Sequence, residues 1–193
     1  MQDSRSNRER TEKTKAALIA AARALFVEKG YAETSTPEIV AAAGITRGAL
    51  YHHYEDKRAL FRAVVRQEAL AVTRAIEQAT PAQLPARDAL IAGSNAYLDA
   101  MRVNGRTRLL LIEGPTVLGF TEMKKLDEET TTLTLRQGLQ AALRHGRKSG
   151  IPVDALADIL SAAFDRAALA IDVGGDVDRY REAIGHMIER IAE

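Results

Sequence analysis

Apolar residues return every third or fourth position along most of this chain and almost nowhere at every second. From Thr14 to Lys29, Leu18, Ala22, Leu25 and Phe26 share one stripe, which predicts a helix ended by Gly30 and Tyr31. In Ser35-Thr36-Pro37-Glu38 the serine and the glutamate have the spacing of a reciprocal cap, so a short helix is predicted over Thr36–Ala43. Gly44-Ile45-Thr46 separates it from a second short helix, Arg47–His53, for which Thr46 is a suitable N-cap. A longer helix is predicted over Lys57–Ala79, with Leu60, Phe61, Val64, Ala71, Val72 and Ile76 on its apolar side. Pro81 and Pro85 interrupt the pattern. Beyond them it predicts helices near Ala86–Val103, Arg106–Glu113, Thr116–His145, Asp154–Asp172 and Val177–Ala192. The intervening breaks are Asn104-Gly105, Gly114-Pro115, Gly150-Ile151-Pro152 and Gly174-Gly175. No run has the alternation and β-branched density of a strand, so the expected fold is all-α with about nine helices.

Composition narrows this picture. The chain has 193 residues, 46% of them hydrophobic, enough to bury a sizeable core. It has no Cys, which excludes disulfides, thiol catalysis and Cys-based zinc sites. Residues 1–10 are polar and of mixed charge, without the apolar centre of a secretory signal, and are expected to be a flexible arm. No apolar run approaches the ~20 residues that cross a bilayer, so a soluble, cytoplasmic protein with no membrane partner is expected. The net charge of +1 hides a small segregation: residues 1–60 carry 10 basic against 8 acidic residues, residues 61–193 carry 17 against 18. The expected division is an arm at 1–10, a first helical domain at 11–60 and a second at 61–193.

The first domain holds the distinctive chemistry. A two-turn helix, a tight turn at Gly44 and another short helix make a helix-turn-helix, whose second helix can enter the major groove of DNA. Arg47, at the first position of that helix, is shaped for a bidentate contact with guanine, and Gly48 removes a side chain where the backbone approaches a base. Thr46, Tyr51, His52, His53 and Tyr54 offer hydrogen bonds to phosphate oxygens, and Lys57 offers a point charge. Taken singly, His52 and His53 also suit a solvated surface, and Tyr51 or Tyr54 a place in the core. Leu50 is expected to be structural, pinning the helix to that of Leu25 and Phe26. With so few cationic contacts, the salt dependence of binding should correspond to only ~2 to 4 counterions per subunit.

The stretch ALIAAARALFVEKGYAETSTPEIVAAAGITRGALYHHYEDKRALFRAV, Ala17 to Val64, resembles the DNA-binding domain of the TetR/AcrR family of bacterial transcriptional regulators. Its most specific part is AAAGITRGALYHHYEDKRALF, Ala41 to Phe61. RLLLIEGPTVLGF, Arg108 to Phe120, is similar to a segment common in the family's helical regulatory domains. The resemblance implies that Arg47 and Gly48 face bases with Tyr51 at the groove. It also implies that Thr46, His53, Tyr54 and Lys57 grip phosphates, and that Ser35 and Thr36 touch the DNA backbone. At Pro37, where many members present a long polar residue to the DNA, this chain has no donor to offer; Pro37 is expected only to start its helix.

The remaining chain is expected to bind a small molecule and to dimerise. On the last two helices, Leu156, Leu160, Ala163, Phe164 and Ala167, with Ile159, Ala163 and Ala170 as a second stripe, and Tyr180, Ile184, Met187, Ile188 and Ile191 span apolar arcs wide enough for partners on two sides. A four-helix homodimer interface accounts for them, as does a monomeric core. Between the ends, polar residues interrupt apolar stripes: Asn95 near Ile91 and Leu98, and Thr130 and Gln137 in line with Met123, Leu126 and Leu133. With Glu113, Thr116 and Phe120 at the Gly-Pro break, these are the candidate ligand residues. Polar groups satisfying one another, or reaching solvent, fit the same pattern. The absence of a charged cluster there points to a neutral or amphipathic ligand.

Other classes leave little trace. There is no phosphate-binding glycine loop, no zinc-protease histidine pair and no G-x-S-x-G elbow. His145 and His186 stand alone, and Asp127-Glu128-Glu129 reads as a solvated face. No catalytic residue, metal or cofactor is expected. A helical adaptor that keeps the helix-turn-helix as scaffold is the other class consistent with the pattern. The expectation is a homodimeric, ligand-responsive repressor of a palindromic double-stranded DNA operator.

Overall fold

The computed structural model describes residues 2–143 and 150–192, with side chains over 8–143 and 150–191. Every regular element among them is helical, and the fold is all-α. Helix α1 (Gln2–Lys29) starts within the segment expected as an arm, and α2 (Thr36–Ala43), α3 (Arg47–His53) and α4 (Lys57–Ala79) keep the bounds that the pattern predicts. Then come α5 (Ala86–Met101) and α6 (Arg106–Arg108), which runs through a π-helical turn, Leu109–Glu113, into α7 (Gly114–Leu118). The last elements are α8 (Phe120–Glu128), α9 (Thr131–Leu143), α10 (Val153–Asp172) and α11 (Val177–Ala192).

Two expected boundaries move, each for a local reason. Gly114-Pro115 is no break. Pro115 sits in the first turn of α7, and the π turn ahead of it widens the backbone where a proline ring excludes a normal carbonyl partner. The break falls instead at Gly119, whose φ of 88° and ψ of 157° belong to a region that only glycine occupies cheaply. The expected single helix Thr116–His145 breaks again at Thr130, where the chain tightens: the Thr130 N–H bonds Asp127 O and its hydroxyl donates to Leu126 O at 2.7 Å. The predicted end of that helix, at His145, lies outside the described residues.

The chain folds as two compact units, Met1–Gln67 with Arg108–Gly119, and Glu68–Thr107 with Phe120–Glu193. The first is built on Leu18, Ala22, Phe26, Ile39, Leu50, Leu60, Phe61 and Val64, none of which reaches solvent. Each of the larger side chains among them is worth roughly 1.5–3 kcal/mol when buried. Phe26, Tyr31 and Phe61 form a ring cluster with centroids 4.9–5.7 Å apart. In the second unit α5, α9, α10 and α11 pack together. There Arg106 pairs with Glu68 at 2.8 Å in the interior and also donates to Ala100 O at 2.7 Å, so neither charge is left unpaired.

Candidate functional site

Local chemistry fixes α2 and α3. Ser35 and Glu38 form the reciprocal cap: the Glu38 N–H donates to Ser35 Oγ, and the Ser35 N–H donates to Glu38 Oε2 at 2.9 Å. Glu38 also pairs with Lys29 at 2.6 Å, and Lys29 and the Ser35 donors together hold its carboxyl down at about 2. Gly44 closes α2 in the left-handed conformation at φ 66°. Thr46 then caps α3 by accepting from the Ala49 N–H at 3.2 Å, a bond that does not use its own hydroxyl hydrogen.

The first turn of α3 is open to solvent. Thr46, Arg47, Gly48 and Tyr51 are exposed, whereas Leu50 on the opposite face is fully buried, so the helix is anchored by one side and offered by the other. The Arg47 guanidinium lies 5.5 Å from the Tyr51 ring centroid. Hydrogen bonds from Thr36 and from Arg47 hold the Tyr51 phenol below the usual tyrosine range, which puts the start of α2 beside the outer face of α3. A Cβ added at Gly48 would meet only Thr46 Oγ1, at 4.0 Å. Nothing among the described residues therefore requires glycine there, although glycine costs a helix interior about 1 kcal/mol against alanine.

Other expected DNA contacts are placed differently. The Lys57 ammonium donates to Tyr31 O and Thr34 O, both at 2.8 Å, and sits 4.3 Å from the Tyr31 ring centroid. It braces the turn before α2 and is not presented as a free charge. The Ser35 hydroxyl is turned to Glu38 at 2.8 Å. His52 is exposed and its ring meets that of His53 edge-on at 5.0 Å. Burial lowers the His53 pKa, with His52 and then Lys15 adding to the effect, and burial followed by Glu12 raises that of the half-buried Tyr54. Lys15, on α1, is thus a cation beside the end of α3, and it pairs with Glu12 at 3.5 Å.

In the second unit a cavity of about 320 Å³ lies among α4, α5, α9 and α10. Its walls are mainly apolar, including Ile76, Leu90, Leu135 and Phe164, with hydroxyls from Thr80, Ser94, Tyr97, Thr131, Thr134 and Ser161. Gln137 lines it and is exposed. Gly138 lets α9 approach α5 closely, since a Cβ there would stand 2.8 Å from Leu90 Cδ2. Among the described residues no group of three or more His, Asp or Glu is arranged to hold a metal.

Comparison with known proteins decides the assignment. The model of bacterial regulatory proteins of the tetR family matches residues 18–64, and that of the tetracyclin repressor-like C-terminal domain matches residues 87–193. The chain belongs to the TetR family. It is a DNA-binding transcriptional regulator of the helix-turn-helix type. It is 27% identical to the Transposon Tn10 TetC protein of Escherichia coli over 88% of its own length and 85% of that protein. A crystal structure of a TetR-family transcriptional regulator from Pectobacterium atrosepticum is similar with a TM-score of 0.72 and 27% identity, over 95% and 94% of the two chains. The TetR-like regulator LfrR of Mycobacterium smegmatis, solved in complex with proflavine, shares the fold with a TM-score of 0.63 and 21% identity, over 92% and 95%.

Of the seven ligand residues expected in this TetR-family chain, only Gln137 lines the cavity. Glu113 belongs to the first unit, where it accepts from the Tyr31 N–H at 3.2 Å and from Arg108 at 2.7 Å. Thr116 is also in the first unit and donates to Ile112 O. Phe120 is 77% exposed, Met123 and Thr130 are buried, and Asn95 is half-buried beside the lining residue Ser94. Of the expected dimer residues, Leu160, Phe164, Ala167, Ile184 and Ile188 are buried within one chain and so unavailable to a partner; Leu156, Ala163, Tyr180, Met187 and Ile191 are half-buried. The second stripe of α10 is more open: Ile159 is 67% exposed and Ala170 half-buried.

Proposed function

We propose that this regulator is a ligand-responsive repressor that binds a palindromic DNA operator as a homodimer and is released by a small molecule. One observation carries the DNA half of the reading: an exposed first turn of α3 with Arg47, Gly48 and Tyr51 together, on a helix whose opposite face is locked by Leu50. Arg47 reads guanine, Gly48 admits a base edge, and Thr46, Thr36 and Tyr51 bond phosphates. Two such helices, related by two-fold symmetry, read half-sites a helical turn apart. The outer stripe of α10, Ile159, Ala163 and Ala170, is the face proposed to join the protomers. Occupying the operator blocks transcription, and the protein acts in the cytoplasm, where the DNA is accessible.

The cavity supports the ligand half, and the proflavine complex of LfrR supports it by analogy. A bound effector favours a conformation in which the recognition helices no longer match successive grooves. It shifts the equilibrium only by its differential affinity for the two conformations. The test is selection of bound DNA from a random pool, followed by a screen of small molecules for release from the selected site. Release by a saturating compound is expected; unchanged operator affinity across the screen would contradict the effector mechanism.

A further inference from the structure

Three oxygens in the cavity wall have already committed their hydrogens elsewhere. Ser94 Oγ donates to Leu90 O at 2.7 Å, Thr80 Oγ1 to Ile76 O at 2.9 Å, and Tyr97 Oη to Asp165 Oδ1 at 2.5 Å. A hydroxyl has one hydrogen and two lone pairs, so what each of these groups presents to the cavity is an acceptor. Gln137 supplies an amide that both donates and accepts. Among the described residues, none that lines the cavity is charged.

The wall behind Tyr97 sharpens the selection. Asp165 and Asp127 are packed into the second unit, where burial raises both carboxyls above their usual range. Asp127 reaches about 7, through burial first, then Asp165 and then Glu128. Two desolvated acids beside the cavity wall disfavour a further negative charge. Tyr97 backed by a carboxylate is also a better acceptor than a tyrosine in water.

Resting on the reading of this cavity as the effector site, we infer that its ligand class is a mostly apolar molecule that donates a hydrogen bond and bears no negative charge, the chemistry of an alkylphenol. Its hydroxyl donates to the acceptor oxygens of Ser94, Thr80 or Tyr97 and accepts from Gln137, while its hydrocarbon fills the space lined by Ile76, Leu90 and Phe164. An ether of the same shape leaves the wall's lone pairs unmet, and a carboxylate adds repulsion. Sites built to bond a particular polar group discriminate strongly against ligands that lack it.

The test is calorimetric titration of the full chain with 4-butylphenol, its methyl ether 4-butylanisole, and 4-butylbenzoate, on the natural protein and on Ser94→Ala and Thr80→Val. Both hydroxyls bond only their own helix backbone, so both variants should keep the fold, checked by thermal melting. The phenol is expected to bind at least tenfold more tightly than the ether, with the benzoate weakest, and each variant should narrow the phenol-to-ether ratio several-fold. An ether or benzoate that binds as tightly as the phenol overturns the donor class but leaves the effector site standing. A ratio unchanged in both variants, or no binding by any probe, also overturns it. The effector reading is then decided separately by the release screen.

Discussion

Gly48 and Lys57 sit nine residues apart and meet opposite internal demands. Glycine at position 48 satisfies no internal requirement, since a Cβ there meets nothing closer than 4.0 Å. Gly48→Ala is therefore expected to raise thermal stability by up to about 1 kcal/mol while weakening operator binding at least tenfold. Paired melting and operator titrations check this, and an unchanged affinity would remove Gly48 from the interface. Lys57 behaves in the opposite way. With its ammonium on Tyr31 O and Thr34 O, Lys57→Met should lower the melting temperature and leave the salt slope of DNA binding unchanged. Asp127 supplies a pH prediction. Its folded pKa of about 7 lies above the unfolded value near 4, so the native state holds the proton more tightly. Its contribution is thus fully present below about pH 4 and is lost as pH rises to 7. Asp127→Asn should flatten the decline in stability between about pH 4 and 7 and stabilise the protein at pH 8 by about 1–2 kcal/mol. Melting curves across that range measure it.

At the level of elements, the sequence was legible wherever caps and periodicity agreed. Ser35 with Glu38, Gly44 and Thr46 mark the ends of α2 and α3 in the sequence and do so in the structure through the bonds expected of them. Periodicity misleads where the chain breaks a helix that the pattern predicts as continuous. Treating Thr116–His145 as one helix aligned Thr130 with Met123 and Gln137, but the breaks at Gly119 and Thr130 reset the phase of each piece. After the reset, Thr131, Thr134 and Gln137 share the cavity-facing stripe of α9 and Thr130 closes the preceding turn. Asn95 was one position from the lining residue Ser94, and one position on a helix turns a side chain by about 100°. Burial likewise splits the two stripes of α10: Leu160, Phe164 and Ala167 serve the core of their own unit, which leaves Ile159 as the outward residue. Ile159→Asp is expected to turn dimer into monomer in sedimentation at micromolar concentration, with the helical content unchanged. A variant that remains dimeric would move the interface elsewhere.

For the whole molecule, net charge is a poor guide to the partner. A formal charge of +1 on 193 residues looks unfavourable for DNA, yet the proposed contacts are a few groups of α3 and the start of α2, most of them neutral donors. With the Lys57 ammonium bonded to Tyr31 O and Thr34 O, Arg47 is the one Lys or Arg on α3, with Lys15 near the end of that helix, so about two counterions released per subunit are expected. A titration of operator affinity between 50 and 200 mM salt, roughly the range where such slopes are read, measures the number; a much steeper slope would bring the basic residues at the start of α1 onto the DNA. The proposed repressor depends above all on the outer face of α3 reading bases. Its most direct test is the affinity and base preference of Arg47→Ala on DNA selected by the natural protein. Affinity should fall by about 1–3 kcal/mol per half-site, with relaxed preference at one guanine position. Unchanged affinity and an unchanged selected sequence would contradict it.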